Sequence, residues 1–217
     1  MSPRLTRAEQ AERNRALLLA AARRVFLKRG YHGASVEQIA DEAGFSTGVV
    51  YSQFGAKADL FLALLDARIA ERAADNTQAV AGLTGDAGIA RLVERAASVD
   101  RAEPEWGLLV VEFRVHAARD PELARRYADA HQRTLAGAER AIAGLYQRAG
   151  EPPPLPPADL ARLLIAIDTG ARLEEAAAPG SSPMTLLAGL LARLISWRPG
   201  GAIAAPSGKE PDDSDHQ

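Results

Sequence analysis

Apolar side chains recur along this chain three and four residues apart, the spacing of helices that each bury one stripe, and no alternating run of useful strand length interrupts them. Val36, Ile39, Ala40 and Ala43 give one short helix its inner face, and Val50 and Phe54, one turn apart, do the same for the next. Leu60, Leu64, Leu65 and Ile69 continue a long helix from Lys57 to about Ala79, which the glycines between 82 and 88 break. Ile89, Leu92, Val93 and Ala96 mark another. Pro104 opens one that runs through Ala118, and Arg119-Asp120-Pro121 ends it, each proline standing where a helix can begin. Leu123, Tyr127, Ala130, Leu135, Ile142 and Leu145 predict a long helix over 122–149, followed by a stiff extended connection in the proline-rich 150–157. Two last helices follow, one with Leu160, Leu163, Leu164, Ile167 and Ala171, the other with Met184, Leu187, Leu190, Leu191, Leu194 and Ile195. The pattern predicts an all-α chain, without an internal repeat or a glycine-rich phosphate loop.

The punctuation between residues 35 and 57 says more than the stripes. Ser35 followed three residues later by Gln38 is a capping box, so a helix starts at Val36. Gly44 can take the positive φ of a C-terminal cap, and Ser46 can cap a second helix. With Val50 and Phe54 inward, that helix turns Thr47, Val49, Tyr51, Ser52 and Gln53 outward, where an ordinary surface helix would carry Glu, Lys and Arg. Methyls of Thr47 and Val49 suit a thymine methyl, Gln53 can bond adenine in bidentate fashion, and Tyr51 and Ser52 can donate to phosphates. Gly48 lets a backbone approach closely. Ser35 and Val36 open the supporting helix, and Lys57, at the start of the next one, can share a phosphate with neighbouring amides. With no arginine on this surface, a half-site read through thymine methyls and adenine is expected.

Residues 14 to 61 resemble the DNA-binding domain of the tetracycline-repressor (TetR) family. The resemblance rests on Leu17-Leu18-x-Ala20-Ala21-x-x-x-Val25-Phe26-x-x-x-Gly30-Tyr31, on the helix pair just described, and on Tyr51-x-x-Phe54-x-x-Lys57-Ala58-Asp59-Leu60-Phe61. Two positions depart from the family pattern: Thr47 stands where lysine or glutamine is frequent, and Ser52-Gln53 replaces aromatic or histidine pairs. Both bear on the operator sequence. The resemblance implies a three-helix helix-turn-helix head, a larger C-terminal helical domain for ligand binding and dimerisation, and a long fourth helix that couples the two like a pendulum. It also implies a homodimer on a palindromic double-stranded operator, released by a small-molecule effector, most often as a repressor.

Composition agrees with this reading. At 217 residues and 47% hydrophobic content the chain can bury a sizeable core. It has no cysteine, so neither a disulfide framework nor a thiol switch is available, and it carries no long uncharged apolar run and no apolar leader segment near Met1. A cytoplasmic protein without a membrane role is expected. The formal charge is −2, yet the first 29 residues hold eight basic and two acidic side chains, a net of +6 that leaves −8 elsewhere. Residues 1–13 read as a flexible basic arm in which Arg4 and Arg7 follow phosphates or a minor groove. Residues 14–57 form the head, 58–198 the effector-binding and dimerisation domain, and 199–217 a disordered acidic tail.

The final helix pair is broader on its apolar side than one neighbour can bury, so Leu160, Leu164, Ile167, Leu187, Leu191, Leu194 and Ile195 are expected at a two-fold four-helix seam. Between head and seam, Trp106, Phe113, His116, Tyr127, His131 and Asp168 are the aromatic and ionisable groups on otherwise apolar helices, and they are the candidates for a ligand pocket. Asp168, four residues before Arg172, also reads as a helix ion pair, and the aromatics as ordinary core. Other classes of answer are a ligand-sequestering or partner-binding protein whose head reads no DNA, and a helical-bundle metal enzyme built on Glu112, His116, His131 and Asp168. No duplicated Glu-x-x-His pattern and no nucleophile with a placed base support the enzyme, and no cofactor is expected.

Overall fold

The computed structural model describes residues 6–178, without the side chains of 97 and 99–102. Among these residues there are eight α-helices and no strand: α1 Arg7–Gly33, α2 Val36–Ala43, α3 Thr47–Phe54, α4 Lys57–Ala79, α5 Gly85–Ala102, α6 Pro104–Ala117, α7 Pro121–Ala149 and α8 Pro157–Ala177. The helix predicted over 184–195 and the tail from 199 lie outside the described residues. No described helix is long and apolar enough to cross a membrane.

Helix boundaries follow the caps. The Ser35 hydroxyl accepts from the Gln38 amide and the Gln38 side chain accepts from the Ser35 amide, while Gly44 takes φ +73° and closes α2. Asp120 accepts from the amides of Glu122 and Leu123 and starts α7 ahead of Pro121. Ser46 occupies the N-cap of α3 without a side-chain cap bond. One boundary differs from expectation: α1 begins at Arg7, six residues before the end of the arm expected over 1–13. Thr6 and Glu9 form a capping box, and that pairing organises residues 7–13 as helix.

Two apolar cores hold the molecule. The larger joins Leu18, Phe26, Tyr31, Ile39, Val50 and Phe54 of the head to Leu60, Phe61 and Leu65 of α4, Trp106 and Phe113 of α6 and Leu123 of α7. The expected boundary at residues 57 and 58 is therefore not a gap between cores; apolar contact runs straight across it. The smaller core gathers Val80, Ile89, Val93, Ile142, Leu145, Tyr146 and Leu160 at the distal end. Asp59 and Asp66 of α4 pair with Arg126 and Arg133 of α7, a step of seven residues on each helix, so the two helices run parallel along the body.

Leu160 corrects an expectation, since it is buried at 3% exposure inside its own chain's distal core and is not available to a second copy. Leu164 and Ile167 pack partly against the same core. The outward face of α8 instead carries Leu163 and Leu173, at 39% and 45% exposure, with Ala166 and Gly170 between them.

Candidate functional site

Two places in the molecule answer to the chemistry anticipated from sequence: the outer surface of α3 and a cavity between the two cores. On α3, Val50 and Phe54 are buried and fix the helix from behind. Tyr51 is 49% exposed, Gly48 and Ser52 are exposed, and Thr47, Val49 and Gln53 are half-buried at the margin, Val49 leaning on the core. The Arg15 guanidinium of α1 lies 4.7 Å over the Phe54 ring, which places a cation at the C-terminal end of α3. Arg15 was not singled out from sequence because it is one of many α1 arginines, and only the fold puts it beside this helix. Arg7 is exposed on the first turn of α1, and Arg4 lies outside the described residues.

Three expected contacts change role. Val36 is buried at 6% exposure, because it opens the inward stripe of α2, so its side chain cannot touch a groove. The Ser52 hydroxyl donates to the Val49 carbonyl at 2.9 Å, the usual behaviour of serine inside a helix, and its proton is thereby engaged. Lys57 turns inward. Its Nζ donates to the carbonyls of Tyr31 and Ala34, each at 2.9 Å, and sits 4.6 Å over the Tyr31 ring. The carbonyls ending α1 hold an ammonium as a phosphate would, and burial lowers the Lys57 pKa even though the Glu112 carboxylate opposes that shift.

Glu112 completes this junction. Its two oxygens accept the amides of Tyr31 and His32, each at 2.9 Å, just after Gly30 at φ +70° kinks the end of α1. The carboxylate is thus engaged with backbone amides of the head, and α6 is tied to α1. His116 belongs to the same cluster, its ring 4.9 Å from Tyr31 and 5.0 Å from His32. Phe113 is fully buried and stacks on Phe61 at 4.2 Å. Neither Phe113 nor His116 reaches the cavity, which corrects both as pocket candidates: each sits on the face of α6 that packs against the head.

The cavity measures about 820 Å³ and is walled by α4, α6, α7 and α8. Trp106, Tyr127, His131 and Asp168 line it. Tyr127 and His131 stack nearly parallel, 6.2 Å apart. Burial, and then the nearby Arg114 charge, lowers the His131 pKa and favours a neutral imidazole, while burial raises that of the Tyr127 phenol. Asp168 accepts from Arg172 Nε at 3.0 Å and from Nη2 at 3.2 Å, and this pair is part of the cavity wall, not of an outer surface. Gly107 gives Arg172 its room. A Cβ at that position would stand 2.4 Å from Arg172 Cδ, so a larger residue would make the arginine side chain shift from its place across α6. The wall also holds Arg68, Arg114 and Arg140, which the sequence reading passed over because arginine on a helix ordinarily marks solvent. No group of three or more His, Asp or Glu side chains with metal-site geometry is found among the described residues.

A family model described as bacterial regulatory proteins, tetR family, matches residues 18–64, and one described as the C-terminal part of BetI-type transcriptional repressors matches residues 86–196. The chain belongs to the tetR family. The transcriptional activator FasR of Mycolicibacterium smegmatis is 45% identical over 58 residues, 27% of this chain and 26% of that protein. The transcriptional repressor AcnR of Corynebacterium efficiens is 33% identical over 126 residues, 57% of this chain and 60% of that protein. The chain thus matches roughly a quarter to three fifths of the length of these relatives, which include both an activator and a repressor. Among solved structures, FadR from Bacillus subtilis, in complex with stearoyl-CoA, aligns with a TM-score of 0.68 at 16% identity, covering 83% of this chain and 97% of that one. A transcriptional regulator from Rhodococcus sp. Rha1 aligns with a TM-score of 0.67 at 25% identity, covering 83% and 93%. The tetR family is one of regulators and not of enzymes.

Proposed function

We propose that this chain is a cytoplasmic, homodimeric, effector-responsive regulator that represses transcription by holding a palindromic operator until a small molecule enters the cavity. The observation that carries the reading is the uncharged outer face of α3, with Thr47, Gly48, Val49, Tyr51 and Gln53 braced by buried Val50 and Phe54. Methyl, phenol and amide groups on a helix fixed at this angle match the donors, acceptors and methyls of a major groove. Arg15 and the exposed Arg7 and Arg13 of α1 supply the phosphate contacts, a role in which Arg4 joins them. The dimer seam falls on the outward α8 face of Leu163, Ala166, Gly170 and Leu173, continued by Leu187, Leu191, Leu194 and Ile195.

Coupling runs through two helices. α4 starts immediately after α3 and lines the cavity with Leu65, Arg68, Ile69 and Asn76, so a ligand that shifts α4 moves the reading head. α6 lines the cavity with Trp106, Val110 and Arg114 and grips α1 through Glu112. A coupling of about 1–3 kcal/mol gives a usable switch, and it must act reciprocally on operator and effector. Gel shift of the full chain against its own upstream DNA, with light scattering at micromolar concentration, tests the reading. A two-fold-symmetric footprint bound by a dimer is expected; a monomer, or no preference over unrelated duplex, contradicts it.

A further inference from the structure

The main cavity is far more basic than the chain that builds it. Across the chain, 26 Lys and Arg face 28 Asp and Glu, yet among the described residues seven arginines and one carboxylate, Asp168, line the cavity. Several of these cations have partners within the protein. Arg172 is held by Asp168, Arg133 by Asp66, Arg68 by Glu71 and Glu103, and Arg148 by the Leu83 carbonyl. The Arg114 guanidinium has neither a hydrogen bond nor an ion pair among the described residues. Arg68 keeps its Nε buried in the wall with no partner. Arg114 is exposed, and together with His131, Ile165 and Thr169 it lines both the main cavity and a smaller one of about 250 Å³ beside it. Between α4 and α6 the same lining also includes Leu65, Ile69, Trp106 and Val110, which carry no charge.

We propose that the effector is an anionic amphipath, whose carboxylate or phosphate ester is held by Arg114 beside His131 and whose hydrocarbon part lies against the apolar lining residues of α4 and α6. This rests on the reading of the cavity as the effector site. A guanidinium without a counter-ion, flanked by an imidazole that its own charge helps keep neutral, gains from an anion what no neutral ligand supplies. An uncharged ligand would leave the Arg114 charge without a counter-ion, and a cationic one would meet it with repulsion. The volume is within the range of pockets that enclose a drug-sized molecule.

The test is isothermal titration of the full chain with four probes sharing one ten-carbon tail: decanoate, decyl phosphate, decanol and decyltrimethylammonium. Decanoate or decyl phosphate should bind about tenfold or more tightly than decanol, and the better of the two identifies the head group. Arg114→Gln should remove that preference while leaving decanol affinity unchanged, and Arg114→Lys should keep most of it. Decanol or the ammonium binding as tightly as both anions, or a preference that survives Arg114→Gln in a protein with an unaltered thermal midpoint, overturns the inference. If the bound alcohol or ammonium still releases operator DNA, the cavity stands as the effector site and only the anionic class falls. Binding of none of the four overturns the inference, and the gel shift without probe then decides separately whether the chain reads DNA.

Discussion

At Lys57 two attractions compete for one ammonium, and the nearer wins. The carbonyls of Tyr31 and Ala34 are part of the same fold, always present at 2.9 Å, whereas a phosphate must arrive from solution. Lys57→Met should therefore cost stability, roughly 1–3 kcal/mol in denaturant titration for the loss of charged hydrogen bonds. The slope of log affinity against log salt on operator DNA should not change, which a phosphate-contacting lysine would not allow. His131 gives a residue-scale signature of pH. Its pKa is lowered by burial first and by Arg114 second, so the folded protein binds fewer protons here than the unfolded chain. The His131 contribution is complete above the unfolded value of about 6.5 and declines as pH falls below it. Thermal midpoints measured from pH 7.5 down to 5.5 should fall more steeply for the wild type than for His131→Gln.

Helix elements were legible wherever their signals were local. Ser35 to Gln38, Gly44, Asp120 and the prolines at 104 and 121 each act within four residues, and the observed ends of α2, α4, α6 and α7 lie within one residue of those read from sequence. The capping box of Thr6 and Glu9 is equally local, but the basic, polar residues around it read as an arm. What sequence could not show is contact across distance. Glu112 serves amides about 80 residues away, and no periodicity on α6 distinguishes that glutamate from a solvated one. The same limit left Phe113 and His116 open between pocket and core, because helical spacing tells which residues share a face and not which neighbour that face meets. The α1 kink is the element most sensitive to substitution. Gly30 sits at φ +70°, ψ 174°, where a side chain is strained, and a Cβ there would lie 2.8 Å from a Glu112 oxygen. Gly30→Ala should lose at least about 1–3 kcal/mol by chemical denaturation, and Glu112→Ala in the same background should recover part of it.

At the scale of the whole molecule, the cavity is lined by residues of both cores, and one of its lining positions has room for a larger side chain. Gly137 of α7 lines the cavity, and a Cβ there meets nothing within 4 Å. Gly137→Leu should raise stability by up to about 1 kcal/mol through helix propensity, a shift of a few degrees in the thermal midpoint. Operator binding should persist while release by the tightest of the ten-carbon probes is lost, since the leucine occupies the ligand's place. The regional charge contrast visible in the sequence belongs to this scale too: the basic α1 lies beside α3, and the rest of the chain carries the compensating negative charge. The most direct measurement is enrichment of bound sites from a random duplex pool by the full chain, run in parallel with a Thr47→Ala, Tyr51→Ala, Gln53→Ala variant checked for an unchanged thermal midpoint. A palindromic site rich in A·T steps, recovered by the wild type and lost by the variant, is the predicted result; no enriched site, or the same site recovered by both proteins, would contradict the account.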